Sequence, residues 1–221
     1  MPPFRNHLAA FPLVAILRGL RPENAQAVGG ALVEAGFRII EVPLNSPEPF
    51  RSIEIMAKKL GPEVLVGAGT VLEPDDVLRI RDAGGRLVVM PHSDAAVIER
   101  AVALGLACTP GVATPTEAFA ALKAGATALK IFPAEILPPA AVKAWRAVLP
   151  KDTLLLPVGG ITPESMAAYA AAGADGFGLG SALFTPSATA AEVRGNALRF
   201  AGAWQRRRTE ATSAPHASQS R

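Results

Sequence analysis

The chain has 221 residues, of which 50% are hydrophobic and 19% are charged, so it can form one large domain with a substantial core and is not disordered. Its formal net charge of +3 owes much to Arg206–Arg208. No basic face remains on which to base a nucleic-acid partner. The single cysteine, Cys108, excludes an internal disulfide and a cysteine-based zinc site, which fits a reducing compartment.

No apolar run approaches the ~20 residues that a membrane-spanning helix needs. The N-terminus also lacks the apolar segment of a signal peptide. We therefore expect a cytoplasmic protein with no membrane partner.

Short apolar runs alternate with longer alanine-rich segments at a spacing of roughly 20–25 residues, which is typical of consecutive β/α units. Eight strands are predicted, at Leu13–Leu17, Ile39–Leu44, Val64–Ala68, Leu87–Met90, Ala107–Thr109, Ala128–Phe132, Leu154–Val158 and Gly176–Leu179. Helices are predicted around residues 22–35, 47–60, 74–83, 94–104, 115–124, 138–148, 163–172 and 190–206.

Four predicted helices end on an Ala-Gly pair, whose glycine supplies a left-handed cap; these glycines are Gly36, Gly84, Gly125 and Gly173. Eight parallel strands with their helices in about 200 residues predict an α/β fold, a single-domain (β/α)8 TIM barrel, rather than an open doubly wound sheet. The barrel is predicted over residues 8–208. Residues 209–221, rich in Ser, Ala and Thr, are predicted to be a disordered tail.

Lys130 lies in the middle of Ala126–Pro133, a run that otherwise resembles a buried strand. Burial disfavours the ammonium form, so the pKa of such a lysine falls and its amine becomes a nucleophile. Neutral lysines form Schiff bases with carbonyl substrates. The alternative is a lysine at a strand end that extends its amine to solvent.

Glu41 interrupts the apolar strand at residues 39–44 in a similar way. Desolvation raises the pKa of a buried carboxyl, and a raised pKa suits a general acid/base near neutral pH. The competing interpretation is a structural ion pair between Glu41 and Lys130 that does no chemistry.

The other polar strand ends form a compact set: Arg18 after strand one, Thr70 after strand three, Gly159-Gly160 after strand seven and Gly180-Ser181 after strand eight. The catalytic and substrate-binding residues of a TIM barrel lie at these positions. The two glycine-containing turns match the barrel phosphate site, where backbone N–H groups hold an anion. Arg18 could instead be a surface residue, and Thr70 a helix N-cap.

Six motifs together resemble the 2-keto-3-deoxy-6-phosphosugar-acid aldolases: Ile16–Gly19, Glu41–Pro47, Gly67–Val71, Leu129–Pro133, Val158–Gly160 and Gly178–Ser181. The resemblance runs from about residue 8 to about residue 205. It implies a class I aldolase that needs no metal or cofactor and is usually a homotrimer. Its small-molecule substrate, a keto-deoxy phosphosugar acid, is split into pyruvate and glyceraldehyde 3-phosphate.

Carried over by position, the resemblance implies roles for individual residues. Lys130 is the Schiff-base lysine and Glu41 the acid/base. Substrate-binding residues are Arg18 and Thr70 for the pyruvate carboxylate, Phe132 beside the carbonyl, and Gly160, Gly180 and Ser181 for the phosphate. One departure from the family pattern is His92, to which we assign no catalytic role.

Three positions bear on which epimer is cleaved. Relatives that act on the gluconate compound tend to have Thr at position 43, Arg at position 45 and Thr at position 158, whereas this chain has Pro43, Asn45 and Val158. These three resemble the galactonate type. Valine cannot hydrogen-bond a hydroxyl as threonine can. We therefore expect a preference for 2-dehydro-3-deoxy-6-phosphogalactonate.

Two other functions remain open at this stage. A sugar-phosphate isomerase or epimerase would share the phosphate site without needing a Schiff-base lysine. A non-catalytic sugar-phosphate binder would use Glu41 and Lys130 as a structural pair.

Overall fold

A computed structural model describes residues 4–213 of the chain. Its strands are β1 (Leu13–Ile16), β2 (Ile39–Pro43), β3 (Leu65–Gly69), β4 (Leu87–Val89), β5 (Ala107–Thr109), β6 (Gly111–Val112), β7 (Leu129–Ile131), β8 (Leu155–Pro157) and β9 (Phe177–Leu179). Its α-helices are α1 (Phe4–Ala10), α2 (Pro22–Glu34), α3 (Pro49–Lys59), α4 (Pro74–Asp82), α5 (Ala95–Ala103), α6 (Pro115–Lys123), α7 (Pro139–Arg146), α8 (Met166–Ala171) and α9 (Ala190–Ser213).

The strands pair in parallel in two groups, a six-stranded sheet in the order β5-β4-β3-β2-β1-β9 and a three-stranded sheet in the order β6-β7-β8. Only Pro110 separates β5 from β6, and a parallel bridge between Val158 and Gly178 links the end of β8 to β9. Helices connect the strands on the outside. The predicted α/β class with a parallel sheet is confirmed, and the sheet is curled.

The fifth predicted strand differs from the structure in one respect. Residues 107–109 pair with β4, but after Pro110 the chain continues as β6 and pairs with β7, with Gly111 opposite Lys130. Proline lacks a backbone N–H and interrupts the ladder. Its carbonyl still accepts a hydrogen bond from Lys130 N at 2.9 Å. The two short strands therefore act as one continuous segment that links the two sheets.

All four predicted glycine caps are confirmed. Gly36, Gly84, Gly125 and Gly173 have φ values of 101°, 85°, 99° and 106°. This left-handed conformation is strained for residues with a Cβ atom. These glycines let each helix end and turn the chain directly into the next strand.

The first helix begins four residues before residue 8, where the barrel is predicted to start. Helix α1 begins at Phe4, and both Phe4 and Leu8 are buried. They pack against an apolar cluster inside the curled sheet that includes Val14, Ile39 and Leu65. Seven residues with two buried positions are too few for the periodicity that predicts a helix.

The C-terminal boundary also differs from the prediction. Helix α9 continues to Ser213, so residues 209–213 of the predicted tail are helical. The sequence has no Gly or Pro between Gly202 and Pro215 to end the helix earlier. The rest of the predicted tail lies outside the described residues.

Candidate active site

The predicted site residues come together at one edge of the sheet, where the parallel strands end. Lys130 is in β7 and Glu41 in β2, while Arg18, Thr70 and Ser181 follow β1, β3 and β9. Parallel strands place their carboxyl ends side by side, so residues far apart in sequence share this edge. A cavity of about 570 Å³ opens here. Its lining includes seven predicted site residues besides Lys130, namely Arg18, Asn45, Phe132, Val158, Gly160, Gly180 and Ser181.

Lys130 lies at the bottom of this cavity with only 6% of its surface exposed. Burial lowers the pKa of its amine, the Glu41 carboxylate opposes that change, and the Arg18 guanidinium adds to it. The Lys130 Nζ lies 4.5 Å from the centre of the Phe132 ring. The site therefore favours the neutral, nucleophilic amine more than water does.

Glu41 lies deeper and is 1% exposed. Its Oε2 atom has no hydrogen-bond partner among the described residues. Burial raises the pKa of the Glu41 carboxyl from 4.5 to about 7, against the opposing charges of Lys130 and Arg18. A Cβ atom at Gly69 would collide with this carboxylate, so the close approach of Glu41 to β3 requires glycine at that position.

The ion pairs among residues 4–206 do not include one between Glu41 and Lys130. The two groups influence each other through their charges without a salt bridge. A buried carboxyl that titrates near pH 7 can take or give a proton at physiological pH. This geometry is unfavourable for the structural-pair interpretation and favours an acid/base role beside a nucleophile.

Glu41 and Lys130 both line a second, smaller cavity of about 20 Å³ inside the curled sheet. Ile16 and Val158 line both cavities, so the two volumes adjoin at Lys130. Pro43, in contrast, is buried at the end of β2, and neither Pro43 nor Thr70 lines either cavity. Lys130 thus lies between the open cavity and the carboxyl below it.

Arg18 is held by two acceptors. Its Nη1 donates to Asn45 Oδ1 at 2.6 Å and its Nη2 to Thr70 Oγ1 at 3.3 Å. Thr70 has a left-handed backbone with φ of 53°. The guanidinium remains exposed and faces the cavity. It can bind a carboxylate there through its remaining N–H groups.

The opposite side of the cavity is formed by turns after β8 and β9. Gly159 and Gly160 have φ values of 106° and 61°. Among the backbone hydrogen bonds of the described residues, the N–H groups of Gly160 and Ser181 have no acceptor. A Cβ at Gly180 would meet nothing within 4 Å, so this residue borders open space. Free N–H groups at such turns bind anions.

Sequence reasoning missed three residues of this site. Glu135, in a 3-10 turn after β7, lies beneath Gly159-Gly160 and lines the cavity with Thr162. The buried Ser46 hydroxyl accepts a hydrogen bond from Gly19 N at 2.9 Å and joins the turns after β1 and β2. Their position just beyond predicted strand ends was the available signal.

The described residues contain no group of three or more His, Cys, Asp or Glu side chains that could hold a metal ion. Within the same residues, none of the helices has the length and apolar character to cross a membrane.

The α/β fold, with a buried lysine and a buried carboxyl beside a cavity at the strand ends, is typical of enzymes whose active sites lie at the carboxyl ends of parallel strands. A family model described as "KDPG and KHG aldolase" matches residues 4–194. The chain belongs to this aldolase family, which confirms the resemblance identified from the motifs. It is an aldolase, a carbon–carbon lyase.

Similar proteins carry more specific names. The chain is 52% identical over 193 residues to a "Probable 2-dehydro-3-deoxy-6-phosphogalactonate aldolase" of Rhizobium meliloti, covering 87% of this chain and 91% of the relative. It is 45% identical over 194 residues to the 2-dehydro-3-deoxy-6-phosphogalactonate aldolase of Escherichia coli K12, covering 88% and 95%. A solved structure described as "Native KDPGal structure" superposes with a TM-score of 0.89 at 44% identity, covering 90% and 97%.

Proposed function

We propose that the chain is a class I aldolase that reversibly cleaves 2-dehydro-3-deoxy-6-phosphogalactonate to pyruvate and glyceraldehyde 3-phosphate. The observation that carries this proposal is the buried Lys130 amine, whose pKa is lowered, close to a buried Glu41 carboxyl whose pKa is about 7. An activated amine and a matched acid/base are the two groups that Schiff-base aldol chemistry requires. The names of the similar proteins support the substrate.

The reaction begins when the Lys130 Nζ attacks the C2 ketone. Loss of water from the carbinolamine gives an iminium, which withdraws electrons from C3. The C3–C4 bond then breaks: its electron pair forms the enamine, the C4 hydroxyl loses its proton, and glyceraldehyde 3-phosphate leaves. Protonation of the enamine at C3 and hydrolysis of the iminium release pyruvate and restore the amine.

Glu41 accepts the C4 hydroxyl proton in this scheme and moves protons in the carbinolamine and enamine steps. Because Glu41 lies beneath Lys130, it acts through a water molecule. The small cavity that both residues line has a volume of about 20 Å³, enough for one water with polar neighbours. The unpartnered Oε2 of Glu41 supplies an acceptor for that water.

The two ends of the substrate are bound on opposite sides of Lys130. Arg18, with Thr70, binds the carboxylate, and the Phe132 ring borders the carbonyl carbon. Gly160, Gly180 and Ser181 bind the phosphate with backbone N–H groups and the serine hydroxyl. A cavity of about 570 Å³ has room for a six-carbon phosphorylated acid of this kind.

Selection of the galacto epimer rests on Pro43, Asn45 and Val158. Val158 is 7% exposed and lines the cavity, where it offers no hydroxyl to the C4 group. Asn45 also lines the cavity, while Pro43 shapes the end of β2 from outside it. A missing hydrogen bond of this type changes specificity by ~10–100-fold.

The decisive experiment is reduction with borohydride in the presence of pyruvate, followed by intact-mass and peptide mass spectrometry. We expect one adduct, on Lys130, with loss of activity in proportion to labelling. An isomerase, an epimerase or a sugar-phosphate binder would form no adduct. Labelling of the exposed Lys123 or Lys143 in place of Lys130 would overturn the assignment.

The proposal extends to the closure of the barrel, the oligomeric state and the location of the enzyme. The pairing of β5 and β6 on either side of Pro110, with the Val158–Gly178 bridge, supports a closed single-domain (β/α)8 barrel. We also propose a metal-independent, cofactor-free homotrimer in the cytoplasm. Light scattering tests the trimer, and activity that is unchanged by EDTA tests the metal independence.

A further inference from the structure

The Arg18 guanidinium is exposed, yet its orientation is determined by neighbouring side chains. Arginine only donates hydrogen bonds, so the Asn45 atom 2.6 Å from Nη1 is the amide oxygen Oδ1. A bond this short to a charged donor is a strong one. Asn45 therefore restricts an arginine side chain that would otherwise move among many rotamers in solvent.

Thr70 supplies the second acceptor at a cost in backbone strain. A β-branched residue at a φ of 53° is an outlier, and such strain concentrates at functional sites. This backbone follows Gly69, which lies against the Glu41 carboxylate, and it brings Thr70 Oγ1 to 3.3 Å from Arg18 Nη2. The guanidinium is thus fixed at two of its nitrogens.

The turns that carry Arg18, Asn45 and Thr70 are themselves tied together. Gly19 N donates to Ser46 Oγ at 2.9 Å, which joins the turn after β1 to the turn after β2. Leu44 N donates to Gly69 O at 2.8 Å, which joins the turn after β2 to the end of β3. These two hydrogen bonds therefore fix the relative positions of the turns that carry the donor and its two acceptors.

We propose that Asn45 is a positioning residue of the carboxylate site, acting on pyruvate through Arg18. This inference rests on the proposed function, in which Arg18 binds the pyruvate carboxylate. The fixed Nη1 and Nη2 contacts direct the remaining N–H groups of the guanidinium into the cavity. Asn45 then contributes to binding of the pyruvate part, which is common to both epimers, in addition to any contact near C4.

The test is a double-mutant cycle on the full chain. Adduct formation with borohydride is measured against pyruvate concentration for the wild type, Asn45→Ala, Arg18→Ala and the double variant. Pyruvate has no C4 atom, so this assay does not detect a contact with the sugar part. We expect the half-saturating pyruvate concentration to rise about tenfold for Asn45→Ala and further for Arg18→Ala. The double variant should match Arg18→Ala within about twofold.

The outcomes separate the two proposals. No adduct on the wild type would overturn the proposed function. An adduct with the same pyruvate dependence in Asn45→Ala, or fully additive effects in the double variant, would overturn only the role of Asn45. Asn45→Leu keeps the side-chain shape without an acceptor and repeats the test if the alanine variant folds poorly.

A matched pair at Thr70 completes the experiment. Thr70→Val removes the hydroxyl at constant shape and should raise the half-saturating pyruvate concentration about threefold, a smaller change than at Asn45, because its hydrogen bond is longer. Thr70→Ser keeps the hydroxyl and should return the value toward that of the wild type. A Thr70→Val response equal to that of the wild type would show that Asn45 alone orients Arg18 and would contradict the two-acceptor arrangement.

Discussion

The two ends of the same strands are built to different requirements. At the amino ends, Phe4 and Leu8 of α1 cover an apolar cluster in which every member is buried. At the carboxyl ends, the same interior holds Glu41 and Lys130, each nearly inaccessible to water. Burial of apolar side chains at the amino ends stabilises the fold. Burial of the two ionisable side chains at the carboxyl ends costs part of that free energy.

The magnitudes show how unequal the two ends are. Burying one large apolar side chain stabilises the fold by about 1.5–3 kcal/mol. A carboxyl whose pKa rises from 4.5 to about 7 costs about 3 kcal/mol when it is ionised in the folded protein. The free-energy cost of ionising Glu41 at the carboxyl ends is therefore about as large as the stabilisation from burying one apolar side chain at the amino ends.

Lys130→Met should produce the largest effect on turnover. It removes one of the two buried ionisable groups at the carboxyl ends. Methionine fills a similar volume but cannot form an iminium, so we expect turnover to fall more than about 10⁴-fold. The melting temperature should stay the same or rise, because a buried amine is replaced by an apolar group. Steady-state kinetics and thermal melts measure both.

Lys123→Met is the matched control, since Lys123 is exposed on α6. It should keep the turnover of the wild type. A Lys130→Met enzyme that retains more than a tenth of the wild-type turnover would remove the lysine from the chemistry.

Phe4→Ala tests the amino ends. Truncating a fully buried phenylalanine costs about 3–5 kcal/mol of unfolding free energy, measured by chemical denaturation. Turnover per folded molecule should fall much less than in Glu41→Gln, because Phe4 touches the site only as part of the lining of the small cavity that Glu41 and Lys130 share. Phe119→Ala, at an exposed position, should change stability by less than about 0.5 kcal/mol. A large drop in turnover would show that the two ends are coupled.

Glu41→Gln should lower turnover about 10²-fold, the usual scale for removing a positioned acid/base, while pyruvate still forms an adduct at Lys130. In the wild type, kcat/KM should rise with pH through about 7, since the ionised Glu41 and the neutral Lys130 amine are both favoured by higher pH. In Glu41→Gln, the rise of kcat/KM that comes from ionisation of the Glu41 carboxyl should disappear from the pH profile. Turnover near the wild-type level would reduce Glu41 to a structural role.

The same substitution has a stability effect whose sign follows from the raised pKa. The folded protein holds the Glu41 proton more tightly than the unfolded chain, so this contribution is full below pH 4.5 and is lost as the pH rises through about 7. The free energy of unfolding of Glu41→Gln should therefore exceed that of the wild type by about 1–3 kcal/mol at pH 8. At pH 5 this difference should be smaller. Denaturation at both pH values measures the difference, and an equal difference at the two would contradict the raised pKa.

Val158→Thr should give the smallest effect, a change in the preference between the two substrate epimers. It tests how the residues at the carboxyl ends of the strands select the substrate. The added hydroxyl can hydrogen-bond the C4 group of the gluconate epimer, so the ratio of kcat/KM values should move toward that epimer by about tenfold. The wild type should favour the galactonate epimer by ~10–100-fold. Measuring both epimers under the same conditions gives the two ratios. A wild-type preference for the gluconate epimer would overturn the substrate assignment and leave the aldolase chemistry intact.

Local signals in the sequence determined the helices, most strands and the glycine caps, because periodicity and turn chemistry act within a few residues. They also singled out Lys130 and Glu41, since a charged residue inside an apolar strand is visible without any structure. The family followed from motifs in chain order, and the comparison with known proteins confirmed it.

Only the tertiary structure decided which side chains meet. Helix α1 was missed because Phe4 is recognisable as a core residue only once the apolar cluster is assembled around it. The contacts of Arg18 with Asn45 and Thr70 join residues 27 and 52 positions apart, and no local pattern encodes them. The raised pKa of Glu41 has the same origin, because desolvation and the opposing charges come from strands that only folding brings together.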